Sequence, residues 1–150
     1  MIVSLPNSSE WIYSSVEELC SQSFYTLLYF YPKDNTPWCT LEAKEFNRLK
    51  HEFELIKCQI VGVSKDTQKS HCLFIDKQGL EFWLISDTSL ELHKDLRFQV
   101  WVGKSMYGKK YMGTRRSSFL LNNKAEVIAF WYDVKPAIHP TQVLSVLQAL

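Results

Sequence analysis

Residues 25–31 read YTLLYFY, a run in which only Thr26 is polar, and Pro32 closes it. A helix with one wet side would show polar residues every three or four positions, and a strand with one wet face would alternate. This run does neither, so it predicts a short strand covered on both faces. Strands of that kind belong to parallel sheets, whose neighbours are joined by crossover helices.

The chain downstream supplies the parts. Leu41, Phe46, Leu49, Phe53 and Ile56 form one apolar stripe, which predicts a helix. IVGVS (60–64) is a second buried strand. Asp66 or Thr67 caps a helix running to about Lys77, and Gly79 stops it. EFWLIS (81–86) reads as a third strand and Ser89 to Asp95 as a short helix. SSFLLN (117–122) and EVIAFWY (126–132) form a hairpin around NNKA. A last helix starts near Pro140 with a stripe of Val143, Val146 and Leu147. The sum is an α/β architecture, a central mixed sheet flanked by helices, in a single domain over residues 1–150. The first two buried strands should be parallel, with a right-handed crossover.

Composition narrows the function classes. Apolar residues make up 46% of the 150, which argues for a folded core. A net charge of +1 advertises neither a nucleic-acid nor a membrane partner. No apolar stretch approaches the roughly 20 residues of a bilayer span, and MIVSLPNSSEW lacks the pattern of a secretory leader. The expected compartment is cytoplasmic. Cys20, Cys39, Cys58 and Cys72 contain no C-x-x-C pair. In a reducing compartment each is either a small buried hydrophobe or a reactive thiol.

Cys39 has the setting of a reactive one. Thr36 is a favoured N-cap, and Pro37 then falls at N1, where its missing N–H costs nothing. Cys39 becomes N3, near unpaired amides and the positive end of the helix dipole. A free thiol is only about 3% ionised at pH 7, whereas one brought down to about 6 is roughly 90% ionised. The plainer reading is a small residue tolerated in a first turn. The site lies beyond the carboxyl end of strand 25–31, where ligand chemistry collects in such sheets.

Pro32-Lys33-Asp34-Asn35-Thr36-Pro37-Trp38-Cys39 resembles the peroxiredoxin signature P-x-x-x-T-x-x-C. FYPKDNTPWCTLEAKEF is similar to the bacterioferritin comigratory protein, or peroxiredoxin Q, subfamily. VGVSKDTQKSH (61–71), LISD (84–87) and MYGKKYMGTRRSSFLLN (106–122) agree in the same order, so the likeness spans about residues 24–150. It implies a thioredoxin-like fold and a thiol peroxidase. Cys39 matches the peroxidatic cysteine, which attacks a hydroperoxide and becomes a sulfenic acid. Thr36 matches the threonine that supports thiolate and peroxide, Pro32 the proline that shields the sulfur, and Arg116 the arginine beside it. Considered singly, Thr36 is a cap, Pro32 a strand stop, and Arg116, like Arg115 beside it, a surface arginine. Glu42 is either an acceptor for Arg116 or a solvated helix residue. Lys104, Lys109, Lys110, Arg115, Arg116 and Lys124 occur between Gly103 and Ala125 without an acid. They form an anion-binding stretch or, on the overall charge balance, a solvated loop beside the site.

Three departures from the family stand out. Trp38 replaces a common glycine and is expected to wall the pocket. Lys44 occupies the position of a frequent resolving cysteine. Relative to the family the N-terminus is expected to be shortened, and Asn7 to Ser23 matches only loosely. A resolving thiol must come from elsewhere. Cys20 and Cys58 precede their strands, about 20 Å from Cys39 across the sheet at ~3.3 Å per residue. Cys72 lies on the near edge, three residues before the position, here Ile75, where other members carry a resolver. The candidates are Cys72, after the first turn of the Cys39 helix unwinds, and an external thiol. The implied partners are a hydroperoxide substrate and thioredoxin or a similar small dithiol reductant, with no metal, haem or flavin cofactor; the expected state is a monomer or weak dimer. Rival readings are a degenerate, non-enzymatic binding or chaperone-like member and a thiol–disulfide oxidoreductase. The second is disfavoured because Thr36 stands where C-x-x-C needs a thiol. A zinc site at His71 and Cys72 has no usual ligand spacing.

Overall fold

The computed structural model describes residues 1–6 and 10–150. The first residues of the loosely matching stretch, 7–9, lie outside that description.

The strands are β1 (Ile2–Ser4), β2 (Glu10–Ile12), β3 (Tyr25–Phe30), β4 (Cys58–Ser64), β5 (Trp83–Ser86), β6 (Trp101–Met106), β7 (Lys109–Thr114), β8 (Ser117–Asn122) and β9 (Val127–Tyr132). The helices are α1 (Val16–Ser21), α2 (Pro37–Arg48), α3 (Lys50–Leu55), α4 (Gln68–Gln78) and α5 (His139–Gln148). Seven strands form one mixed sheet in the order β2-β1-β5-β4-β3-β8-β9. β3, β4 and β5 run parallel, while β1 and β8 close their flanks antiparallel.

The opening run occupies the middle of this sheet, as its composition demands. Leu27, Tyr29 and Tyr31 enter one core with Cys39, Ala43, Phe46, Phe53, Val143 and Leu147. Leu28 and Phe30 enter the other with Val61, Val63, Ile85, Phe98 and Phe119. The glycine inside β4 has a packing reason. A Cβ on Gly62 would lie 3.0 Å from Cζ of Tyr29 and 2.7 Å from Cδ2 of Leu84, so the Tyr29 ring fits only over a bare backbone.

Several expectations change. The stripe from Leu41 to Ile56 is two helices, broken at Leu49. Its inward face is set by Cys39, Glu42, Ala43 and Phe46, which leaves Leu41 half-buried. Thr67 rather than Asp66 caps α4, accepting from the Ser70 amide, and Gly79 ends it in the left-handed conformation. No helix forms at Ser89–Asp95. Leu90 is left-handed at φ 64°, and the Asp87 carboxylate draws the amides of Leu92 and His93 into a turn. In α5 the buried stripe is Val143, Leu144 and Leu147, with Val146 on the outer side. The β6–β7 ladder, a separate two-stranded sheet, went unread because its strands carry lysines and glycines and bury little.

Candidate active site

Three elements meet at the carboxyl edge of the parallel strands. Tyr31 and Pro32 leave β3, α2 starts at Pro37, and β8 runs antiparallel to β3 with Ser117 opposite Phe30. The residue just before β8, Arg116, is thereby delivered to the end of β3 where Cys39 lies.

Thr36 is the N-cap residue, Pro37 is N1 and Cys39 is N3, as the sequence indicated. The Thr36 carbonyl accepts the first helical bond, from Thr40 N–H, at 2.9 Å. Its side chain does not cap; the hydroxyl donates to the Lys33 carbonyl at 2.9 Å instead, pinning the loop before the helix. Cys39 is buried, at 1% exposure. Trp38 beside it is 63% exposed, and Pro32 and Thr36 are half-buried.

Arg116 donates from Nη2 to Cys39 Sγ at 3.2 Å and from Nη1 to Glu42 Oε1 at 2.8 Å. Cys39 and Glu42 are three residues apart, so one helical turn presents both to one guanidinium. Glu42 is an acceptor, not a solvated helix residue: its exposure is 0%. Burial pushes its carboxyl up to about 7, against the pull of Arg116. Its second oxygen, Oε2, has no hydrogen-bond partner, consistent with a carboxyl that holds a proton readily. Arg115 is spent elsewhere, pairing through two nitrogens with Asp133 at 3.0 and 2.7 Å over the Tyr132 ring.

The loop carrying Pro32 and Thr36 is tied from below by a buried network that sequence reasoning missed. Asp34 accepts from the Tyr31 hydroxyl at 2.6 Å and from the Ser70 hydroxyl at 2.8 Å, and lies 2.7 Å from His71 Nδ1. Its own amide donates to Asp66 at 2.9 Å, and His71 Nε2 faces the Ile85 carbonyl at 3.1 Å. Asn35 takes a left-handed φ of 62°, which asparagine tolerates. Asp34, Asp66 and His71 bring potential ligand atoms within 4.8 Å of one another. All three already hold hydrogen bonds that fasten the loop to α4. The signal was available: polar residues just past the carboxyl ends of two buried strands have nowhere to point but at each other.

Among the other thiols, Cys20 and Cys58 are buried, and burial raises both, Cys58 to about 12. Cys72 is half-buried on α4, immediately after His71. Lys44 is on the exposed side of α2.

A buried thiol at N3 of a helix, touched by an arginine at the start of a neighbouring strand, is a candidate site for thiol chemistry on an α/β sheet. The AhpC/TSA family model matches residues 5–130. Peroxiredoxin Bcp of Xanthomonas campestris is 45% identical over 125 residues, covering 83% of this chain and 77% of that one. Peroxiredoxin Bcp of Bacillus subtilis is 40% identical over 124 residues, covering 83% and 78%. A solved structure of the Xanthomonas campestris bacterioferritin comigratory protein superposes with a TM-score of 0.84 at 38% identity, over 99% of this chain and 90% of that chain. The chain belongs to the AhpC/TSA family, among the Bcp and peroxiredoxin Q peroxiredoxins, and its sheet is the thioredoxin-like one that the resemblance implied.

Proposed function

We propose that this peroxiredoxin is a thiol peroxidase in which Cys39 is the attacking group. The observation that carries the reading is the 3.2 Å contact between Arg116 Nη2 and the Cys39 sulfur at the start of α2. The Xanthomonas campestris relative was solved in trapped intermediate and ligand complexes addressing its alkyl peroxide reduction activity.

The Cys39 thiolate attacks the terminal oxygen of ROOH. An S–O bond forms as the O–O bond breaks, leaving Cys39 as a sulfenic acid and RO⁻, which takes a proton from water to leave as ROH. Negative charge moves from sulfur toward the departing oxygen, and Arg116 is placed to follow it. The Thr36 hydroxyl gives its proton to Lys33, so its lone pairs are free to accept from the peroxide O–H. Pro32 is the proposed shield of the sulfur, in the role that the family resemblance gives it.

A thiol then returns Cys39 to its reduced form. Cys72 is the proposed internal partner: of the remaining cysteines it alone is not buried, and its helix is fastened to the active-site loop through His71 and Asp34. Thioredoxin or a similar small dithiol protein is the proposed final reductant, the cytoplasm the proposed compartment, and a monomer or weak dimer the proposed state. No helix among the described residues is long and apolar enough to cross a membrane.

Peroxide consumption with thioredoxin and its reductase tests the reading, together with the mass of wild type and Cys39→Ser after stoichiometric hydrogen peroxide. Turnover, and oxidation lost in Cys39→Ser, are expected. Disulfide reduction without peroxide turnover would point to an oxidoreductase, and neither activity to a degenerate binding protein.

A further inference from the structure

A buried row of three side chains ends two residues before Arg116, and the chemistry at Cys39 makes no direct use of it. Asp87 follows the end of β5, its amide donating to the Ser64 carbonyl at 2.8 Å. Its carboxylate accepts from the amides of Leu92 and His93 at 3.1 and 2.8 Å, and lies 2.6 Å from His93 Nδ1. His93 Nε2 is 2.9 Å from the Thr114 hydroxyl oxygen. All three residues are buried. The imidazole stands edge-on to Phe30 and Trp101, with ring centroids at 5.3 and 5.8 Å, which fixes its plane. Nδ1 donates to the carboxylate, so Nε2 is left to face Thr114. A hydroxyl both gives and accepts, so the link suits either charge state of the ring.

Carboxylate, imidazole and hydroxyl in a row have the order of a nucleophilic triad, but Thr114, at 1% exposure, admits no substrate. The place of the row in the chain gives a better account. Thr114 ends β7. The four residues of β7 before Gly113 are exposed, and β6 and β7 form a sheet of their own. A hairpin with so little buried surface moves readily, and it is a lever on whatever follows it. His93 holds both of its legs. The His93 carbonyl accepts from the amides of Val100 and Trp101 at the entry to β6, each at 3.2 Å, while its ring meets Thr114 at the exit of β7. The Val100 carbonyl in turn accepts from the Arg115 amide at 2.8 Å. The hairpin is thus pinned at its base, next to the arginine whose guanidinium must meet Cys39 and Glu42 together.

We propose that the Asp87–His93–Thr114 row positions Arg116, holding its guanidinium in register with the Cys39 sulfur against movement of the β6–β7 hairpin. The proposal rests on the peroxidase reading and deepens it. His93 and Thr114 are positioning residues, acting on the reaction through Arg116. Asp87 orients the imidazole, and Thr114 passes that constraint to the backbone just before the arginine. A donor displaced by about 1 Å from a developing charge loses most of its effect on rate, so a single buried hydroxyl has a kinetic consequence.

The test is a double-mutant cycle on the second-order rate of Cys39 oxidation by hydrogen peroxide. Thr114→Val removes the hydroxyl at nearly constant volume and should slow the reaction roughly ten-fold. Thr114→Ala, which puts no methyl group in place of the oxygen, should do the same, and Thr114→Ser should restore most of the rate. With Arg116→Met as the background, Thr114→Val should change the rate by less than about two-fold, because the group it positions is gone. Valine and alanine variants that react as fast as wild type overturn the proposal. So does a valine loss of equal size in both backgrounds, which marks general damage to the fold. Wild type that peroxide does not oxidise at Cys39 removes the peroxidase reading itself, and this proposal with it.

Discussion

Arg116 reaches the sulfur of Cys39 at 3.2 Å across 77 positions of chain. Replacing it with methionine keeps much of the volume and removes the charge. The second-order rate with hydrogen peroxide should fall about 100-fold, the size seen when one preorganised donor to a developing charge is lost. Lysine should recover only part of the rate, because it cannot reach Cys39 and Glu42 as a planar fork. Rapid-mixing measurements check this; a Met variant reacting as fast as wild type would show the contact to be structural.

Glu42 gives stability a pH dependence of unusual sign. Its folded-state carboxyl, at about 7, is raised above its ordinary 4.5 by burial. The folded protein therefore binds that proton more tightly than the unfolded chain does. The contribution is fully present below about 4.5 and is lost as pH rises through about 7, amounting to about 3 kcal/mol. Glu42→Gln should abolish this alkaline loss in denaturant titrations of the reduced protein.

His139 acts the other way. Burial lowers its imidazole from 6.5 to about 4, and Nε2 lies 2.7 Å from the Ser118 hydroxyl. The unfolded chain takes the proton first, so the contribution is present above 6.5 and lost as pH falls toward 4. Between these limits the two groups oppose each other and wild type should be nearly flat. In Glu42→Gln the acid loss stands alone at about 3 kcal/mol, and in His139→Gln it should vanish.

Trp38 should affect which peroxide is used. The indole is exposed next to a buried sulfur, so it offers an apolar ledge to an alkyl group rather than a plug. Trp38→Gly should lower the rate for cumene hydroperoxide relative to hydrogen peroxide by roughly five-fold, the worth of about 1 kcal/mol of apolar contact. An unchanged ratio removes Trp38 from substrate choice.

Peptide mapping of peroxide-treated protein should yield a Cys39–Cys72 crosslink, absent in Cys72→Ser. A sulfenic acid that persists in wild type would assign the reducing step to an external thiol.

The core of the fold was readable because burial on both faces leaves a continuous apolar signature, as in YTLLYFY and IVGVS, and because Thr67 and Gly79 mark helix ends by local chemistry. Pro37 at N1 and Cys39 at N3 were placed by helix-start chemistry, although the Thr36 hydroxyl serves the Lys33 carbonyl rather than the cap, and the Arg116 contact followed the resemblance. What escaped depends on partners distant in sequence. Asp34 and His71 look like surface residues until β3 and β4 lie side by side. The Leu90 turn is dictated by the Asp87 carboxylate, which overrides helical spacing. β6 and β7 bury too little to write a periodic pattern.

The sulfur and its cation ride on different scaffolds. Cys39 belongs to the opening turn of α2, whereas Arg116 is fixed to a strand bonded on both sides, between β3 and β9. A crosslink to α4 requires the first to travel while the second stays. On the proposed mechanism, oxidation is carried out under the arginine's charge and reduction away from it, and the tempo of turnover is governed by how quickly a single coil of helix rewinds to bring the atom home.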